Sequence, residues 1–277
     1  MAEAERAAAR AELHSLIPAV SAWVASVPAP ATSLTVIIAT RDRAHVLPRA
    51  VSSVLAQDHA RLELIVVDDG STDETATWLA GINDRRLSTL RTEGIGLAGA
   101  RNRGLAAARG EIVTYLDDDN VMLPGWMRAV AWAFDRFPDA VLVYGARVIE
   151  DRDHLAGNAG PSGTVTSALP RIHFEPYSRD YLREGNFIDA NVMGHRREHP
   201  EARFDERLGY ASDWDLALRL TAGRDAVPIP VLACAYTTRE PTRMSLDWAL
   251  ADRDMSTARN LNGINPLSPH DVDGHCT

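Results

Sequence analysis

Asp117, Asp118 and Asp119 follow directly on the apolar run Glu111-Ile-Val-Thr-Tyr-Leu116. Three adjacent carboxylates repel one another strongly unless a cation is present. Hard oxygen donors suit Mg2+ or Mn2+ better than zinc. The competing reading is a solvated acidic turn in which Asp119 or Asn120 caps the next helix. A second acidic pair, Asp68-Asp69-Gly70-Ser71, ends the run Leu62-Glu-Leu-Ile-Val-Val67, where the alternative is a tight turn with Asx hydrogen bonding. Gly94-Ile-Gly96-Leu-Ala-Gly99 matches G-x-G-x-x-G ahead of a helix, with Asp117 at a suitable distance for a dinucleotide site. The weak strand before it, Leu87–Leu90, and its place on the third strand-helix unit speak against NAD and an oxidoreductase. His195-Arg-Arg-Glu-His199 matches H-x-x-E-H, a zinc peptidase pattern. Gly194 and Pro200 leave barely one turn for the helix it needs, which predicts a charged surface loop instead.

The elements that must carry these residues alternate. Residues 2–16 are rich in Ala, Glu and Arg and predict a helix, and Val27-Pro-Ala-Pro-Ala-Thr-Ser33 reads as a linker. Strand-like runs at Leu34–Ala39, Leu62–Val67, Leu87–Leu90 and Glu111–Leu116 are interleaved with helical stretches at Val46–Gln57, Glu74–Ala80 and Ala98–Ala108. That alternation predicts an α/β fold, Rossmann-like, with a mainly parallel sheet flanked by helices. Ligands of such sheets bind at the carboxyl ends of the strands, where both acidic tips fall. The expected organisation is an N-terminal helix and linker over 1–33, a nucleotide-binding half over 34–150, a smaller acceptor-side half over 151–245, and a C-terminal helix and tail over 246–277. Asp151–Pro170 reads as loop, and Asn260–Thr277 lacks periodicity and reads as a loosely packed tail.

The chain has 277 residues, 45% hydrophobic and 24% charged, with a formal net charge of −9. The negative balance argues against nucleic acid or anionic lipid as the main partner. Cys234 and Cys276 are far apart, which suggests neither a disulfide framework nor a thiolate zinc site. No apolar run approaches the roughly 20 residues of a membrane span, and Glu3, Glu5 and Glu12 are unlike a secretory signal. A soluble, cytoplasmic protein without an integral membrane segment is the expectation, and a homodimer stays open.

Four segments together resemble the successive motifs of family 2 glycosyltransferases: Thr40-Arg41-Asp42-Arg43, Val67-Asp-Asp-Gly-Ser-Thr-Asp73, Gly99-Ala-Arg-Asn-Arg-Gly104 and Tyr115-Leu-Asp-Asp-Asp-Asn120. The resemblance spans Leu34 to Ser245, strong up to Asp119 and thinner afterwards. It implies a GT-A fold and transfer of a sugar from a nucleotide-sugar donor to an acceptor hydroxyl. By that resemblance Asp69 accepts a hydrogen bond from the base, and Thr40 and Arg41 line the base pocket. A carboxylate there suits the N3–H of uracil or thymine, hence a UDP- or dTDP-linked donor. Arg41 stands where the family often has tyrosine. Arg101 would approach the phosphates or help to fix Asp69. Asp118 would contact the ribose and Asp119 would bind Mn2+ or Mg2+, with Asp117 a further substrate-side candidate.

The acceptor hydroxyl needs a base, and Tyr210-Ala-Ser-Asp-Trp-Asp-Leu-Ala-Leu-Arg219 resembles the family's Glu-Asp-Trp-Asp-Leu segment, with Ser212 replacing glutamate. With Ser212 as N-cap, Asp215 at N3 reaches back in a capping box. Asp213, about 200° around the helix, then faces the acceptor as the catalytic base. A helix N-terminus favours the carboxylate and weakens its basicity, which apolar Trp214 and bound substrate would offset. Gly185–Met193 and Phe204–Leu208 resemble acceptor-side segments, and Trp214 and Asp189 are candidates to touch sugar or acceptor, with helix packing the equal alternative for Trp214. Some relatives carry a histidine after the base helix. The matching stretch here is Tyr236-Thr-Thr-Arg-Glu240, so Arg239 or Arg243 would assist the diphosphate instead. The acceptor is open among small molecule, glycan and peptide. Ser212 and the missing histidine keep a catalytically inactive GT-A sugar-binding protein in view as an alternative.

Overall fold

A computed structural model describes residues 3–150, 171–237 and 248–264. The loop Asp151–Pro170, Arg239, Arg243, Cys276 and most of the expected tail lie outside the described residues.

The strands expected in the first half form as β1 (Leu34–Thr40), β2 (Leu62–Asp68), β3 (Leu87–Arg91) and β4 (Ile112–Tyr115). In β1, β2 and β4 apolar, mostly β-branched runs are buried on both faces, and β3 is a half-exposed edge strand. Helices α2 (Leu47–Leu55), α3 (Thr75–Ala80) and α4 (Gly96–Ala107) connect them. All pairings among these strands are parallel, in the order β3-β2-β1-β4. The sheet then continues through the second half. After β5 (Val121–Met122) and α5 (Trp126–Arg136) come β6 (Leu142–Glu150), β7 (Arg171–His173), α6 (Arg179–Glu184), β8 (Met193–Arg196), α7 (Ser212–Leu220), β9 (Val227–Thr237) and α8 (Trp248–Leu261). β8 runs antiparallel between β4 and β6, while β6 and β9 pair in parallel. The α/β class and the flanking helices are as the alternation requires.

Register decides where the acidic tips fall. Thr40 is opposite Asp68 in the β1–β2 ladder, and Ile37 is opposite Tyr115 in the β1–β4 ladder. The Leu116 N–H extends that ladder to the Ile37 carbonyl, 3.1 Å away, and the Asp69 N–H donates to the Thr40 carbonyl at 2.8 Å. The ends of three parallel strands therefore deliver Thr40, Asp69 and Asp117 to one edge of the sheet.

Three expectations about helices are corrected. The first helix, α1, runs over Glu3–Ser26, past the expected end at residue 16 and through Pro18. Tertiary packing overrides the proline: Ile17 and Val24 are buried in the core, and Arg128 Nε donates to the Val24 carbonyl at 2.9 Å near the helix end. α4 begins two residues early, at Gly96. Its cap comes from across the sheet, because the Asp69 carboxylate accepts the N–H groups of Ile95 and Gly96 at 2.8 Å each. Ser212 is not the N-cap of α7. Ala211 occupies that position with no side-chain cap. Asp215 accordingly makes no capping box. It is buried, pairs with Arg219 at 2.8 Å and accepts from Asn262 Nδ2 at 2.9 Å.

Candidate active site

A cleft of about 730 Å3 opens along the carboxyl edge of the sheet. Thr40, Arg41, Asp69, Arg101, Asp117, Asp118, Asp119 and Asp213 all line it. Residues separated by as many as 173 positions are thus gathered by strand ends, the start of α4 and the start of α7.

Trp214 is the exception among the expected site residues. Its side chain is fully buried, and its indole N–H donates to the Leu182 carbonyl at 2.6 Å. A helix that presents Asp213 to the cleft turns the next residue into the core. Trp214 fixes α7 in place rather than touching substrate.

At the base end, Asp69 Oδ1 accepts from the Thr92 hydroxyl at 2.6 Å and from the Ile95 N–H, and Oδ2 accepts from the Gly96 N–H. Three of roughly four lone-pair positions are used, which leaves Oδ2 able to take one further donor. Gly94 and Gly96 both have positive φ, 78° and 83°, the turn that only glycine adopts without strain. This turn rests against the Arg41 guanidinium, since a Cβ on Gly94 would lie 3.1 Å from Arg41 Nη1. The same geometry removes the dinucleotide reading of Gly94–Gly99. A pyrophosphate would need the N–H groups at the start of the helix, and the Asp69 carboxylate holds them.

The acidic triplet is divided between two arginines. Arg101 Nη2 donates to Asp117 Oδ1 at 2.6 Å, with its guanidinium 5.2 Å from the Phe204 ring centroid. Arg101 is thereby committed to Asp117 and does not fix Asp69. Arg43 Nη1 lies 3.1 Å from Asp119 Oδ2 and 3.5 Å from Asp118 Oδ1. Asp118 also accepts from the Thr40 hydroxyl at 2.7 Å. Burial pushes the Asp118 carboxyl up to about 7, although Arg43 and the Thr40 hydrogen bond act the other way. The sequence reading gave Arg43 no role. Its position four residues after the buried strand was the available signal.

At the opposite end, Asp213 Oδ1 accepts from Asn186 Nδ2 at 3.1 Å and from the Trp214 N–H at 2.8 Å, while Oδ2 accepts from the Ala190 N–H at 3.2 Å. Its pKa is raised, chiefly by burial, with Arg101 and the backbone donors opposing. A carboxylate so placed is a better base than an exposed aspartate. The two ends are joined by a single 3-10 turn, Ala190–Val192. Ala190 reaches Asp213, while Asn191 Oδ1 accepts the Asp117 N–H at 2.7 Å and Asn191 Nδ2 donates to Asp117 Oδ2 at 2.9 Å. Asn186, Asn191 and Ala190 belong to the segment 185–193 noted in the sequence, yet their bonds to Asp117 and Asp213 could be seen only in three dimensions.

Among the described residues no group of three or more His, Cys, Asp or Glu side chains converges as a complete metal cage. Among the described residues seven aspartates and four arginines line the cleft. That excess of carboxyl groups over guanidinium groups gives a divalent cation oxygen donors to bind. Mg2+-type sites are commonly completed by one or two carboxylates plus substrate phosphates and water. Asp119, a hard oxygen donor at the cleft wall, fits that pattern. The H-x-x-E-H reading is excluded differently: His195 lies on β8, is fully buried, and its Nε2 is 2.8 Å from the Tyr115 hydroxyl. It is a core histidine, not part of a surface loop.

The family profile described as Glycosyl transferase family 2 matches residues 35–199. The Rhizobium meliloti (strain 1021) succinoglycan biosynthesis protein ExoO is 30% identical over 219 residues, covering 75% of this chain and 61% of ExoO. The chain spans between 53% and 65% of the length of the first curated relatives it matches. S. aureus TarS in complex with UDP-GlcNAc superposes with a TM-score of 0.67 at 18% identity, over 86% of this chain and 69% of TarS. The mannosyltransferase PcManGT from Pyrobaculum calidifontis, in complex with GDP-Man and Mn2+, gives a TM-score of 0.59 at 21% identity, over 96% and 76%. At these identities the likeness to solved structures establishes the fold, which is the GT-A fold.

Proposed function

The chain belongs to glycosyl transferase family 2, and we propose that its cleft moves a sugar from a nucleoside diphosphate sugar to an acceptor hydroxyl, with inversion at the anomeric carbon. One observation carries the reading. Asp118 and Asp119 at the end of β4, and the burial-shifted Asp213 at the start of α7, line a single cleft.

Asp69 Oδ2 takes the remaining donor of the base, the N3–H of uracil or thymine, and Arg41 lies over the base beside the Gly94 turn. Asp118 holds the ribose. Asp119 would hold Mn2+ or Mg2+, which when bound supplies charge neutralisation at the departing diphosphate. The complexes of TarS with UDP-GlcNAc and of PcManGT with GDP-Man and Mn2+ support a nucleotide-sugar donor, and the second supports a divalent ion. Because those two differ in base, the preference for UDP or dTDP rests on Asp69 alone. Asp213 takes the proton of the acceptor hydroxyl as its oxygen attacks the anomeric carbon. The new carbon–oxygen bond forms on the face opposite the breaking bond to the diphosphate. One carboxylate acting in one displacement implies inversion.

The test is release of nucleoside diphosphate from a panel of UDP-, dTDP- and GDP-sugars with Mn2+. Wild type should turn over a UDP- or dTDP-sugar, whereas Asp213→Asn should bind the same nucleotide and lose at least about 100-fold in kcat. Near-normal turnover by Asp213→Asn would remove the base assignment.

A further inference from the structure

From Leu13 to Ser33 the chain has no Asp, Glu, Lys or Arg, although such residues make up 24% of the sequence. The second half of α1 falls in this stretch, and the fold does not hide it. Ile17 and Val24 enter the core, whereas Leu16 is 42% exposed and Trp23 45% exposed. Leu16, Val20 and Trp23 follow one another at four and then three positions, which sets them in a single row along the helix. Ala19, exposed, lies beside the middle of that row, and Glu12 ends it one turn before Leu16. The row widens onto the end of α5. Trp23 meets the Trp132 ring edge-on at 4.8 Å between centroids, and Trp132 meets Phe137, itself 40% exposed, at 6.0 Å. α1 precedes residues 35–199, which the family profile covers, and no described residue of α1 lines the cleft.

Large apolar side chains gathered on one exposed face mark a contact surface, and tryptophan is among the residues that dominate the energy of such contacts. Charge decides what covers this one. A helix that lies on a lipid surface carries Lys or Arg along its polar side. Residues 13–33 have neither, on a chain whose net charge is −9. The same net charge makes two copies of the chain repel one another over much of their surface. A face without charge is where they can approach at least cost. The row is also self-complementary. With two α1 helices antiparallel about Ala19 and Val20, Leu16 of each copy faces Trp23 of the other, and small Ala19 lets the backbones come close. Across a two-fold axis every such contact is made twice.

We propose that this face joins two copies of the chain into a two-fold dimer, α1 antiparallel to α1, with Trp132 and Phe137 at the flank of the contact. The dimer is independent of the transferase reading, since it uses a helix outside the cleft.

Sedimentation velocity of the full chain from about 1 to about 100 µM reads its mass in solution. Co-sedimentation with vesicles of phosphatidylcholine and phosphatidylglycerol tests lipid as the occupant instead. Wild type should pass from one chain mass to two as concentration rises. Ala19→Arg sets a charge at the centre of the contact without entering the core, and should weaken the dimer at least about tenfold. Leu16→Glu should do the same and covers the case in which the first variant fails to fold, with circular dichroism and a thermal melt reporting the fold of each. The dimer is overturned if wild type stays a monomer throughout, if both folded variants associate as wild type does, or if wild type binds the vesicles and Ala19→Arg does not. Those outcomes leave the transferase reading standing as long as wild type turns over a UDP- or dTDP-sugar. Absence of that turnover would sink the transferase reading and leave the dimer untouched.

Discussion

Asp213 and Asp118 share a physical condition, a carboxyl group whose burial disfavours its charged form, and different consequences follow. For Asp213, the proposed base, the raised pKa strengthens basicity. It also means that proton transfer fails as pH falls through a value above the ordinary aspartate range. A pH profile of kcat should therefore lose its acidic limb below a pKa higher than about 3.9, and a flat profile down to pH 4 would contradict the role. For Asp118 the sign concerns stability. A carboxyl raised from 3.8 to about 7 on folding favours the folded state at low pH, and this advantage is lost as pH rises from about 4 through about 7. Asp118→Asn should consequently stabilise the ligand-free protein at pH 8, on the order of 2–4 kcal/mol, while weakening nucleotide binding. Urea unfolding at pH 5 and pH 8 checks this, and an equal effect at both pH values would count against it.

The elements that hold these residues were legible to different degrees, and the reason is where their hydrogen bonds come from. β1, β2 and β4 could be read because buried β-branched runs carry their own signal. Helix starts were misplaced where the cap is remote: α4 is capped by Asp69, 26 and 27 residues away, and no local pattern records that. The triplet, Asp69 and Asp213 stood out as acidic residues at strand or helix ends. Asn191, Asn186 and Arg43 did not, because their partners lie 27 to 76 residues distant. Asp254 of α8 is a further case. Buried, it accepts the N–H groups of Gly209 at 2.6 Å and Tyr210 at 2.8 Å, and so positions the segment leading into α7. Asp254→Ala leaves both donors without that acceptor and should cost about 2–4 kcal/mol, measured by urea unfolding at unchanged m-value. Turnover should fall further than donor affinity, since the segment leads directly into α7 and the proposed base Asp213. A stability change below about 0.5 kcal/mol would show that the segment holds its place unaided.

Across the whole molecule, the carboxyl edge of the sheet and the start of α7 bring the residues proposed to bind nucleotide and the proposed base into one cleft, and the 3-10 turn at 190–192 bonds to both Asp117 and Asp213. The parallel half could be anticipated from alternating strands and helices. The mixed half could not, because β8 inserts antiparallel between β4 and β6 and short strands of that kind leave little periodicity. The proposed function makes the cleft's affinity for a diphosphate depend on an accompanying cation, as its excess of carboxylate over guanidinium among the described residues suggests. Isothermal titration of UDP and dTDP, with Mn2+ and again with EDTA, tests that dependence most directly. Binding at least tenfold tighter with Mn2+ in wild type, and no such gain in Asp119→Asn, is the predicted result. Equal affinity with and without the ion, or a full Mn2+ gain retained in Asp119→Asn, would contradict it.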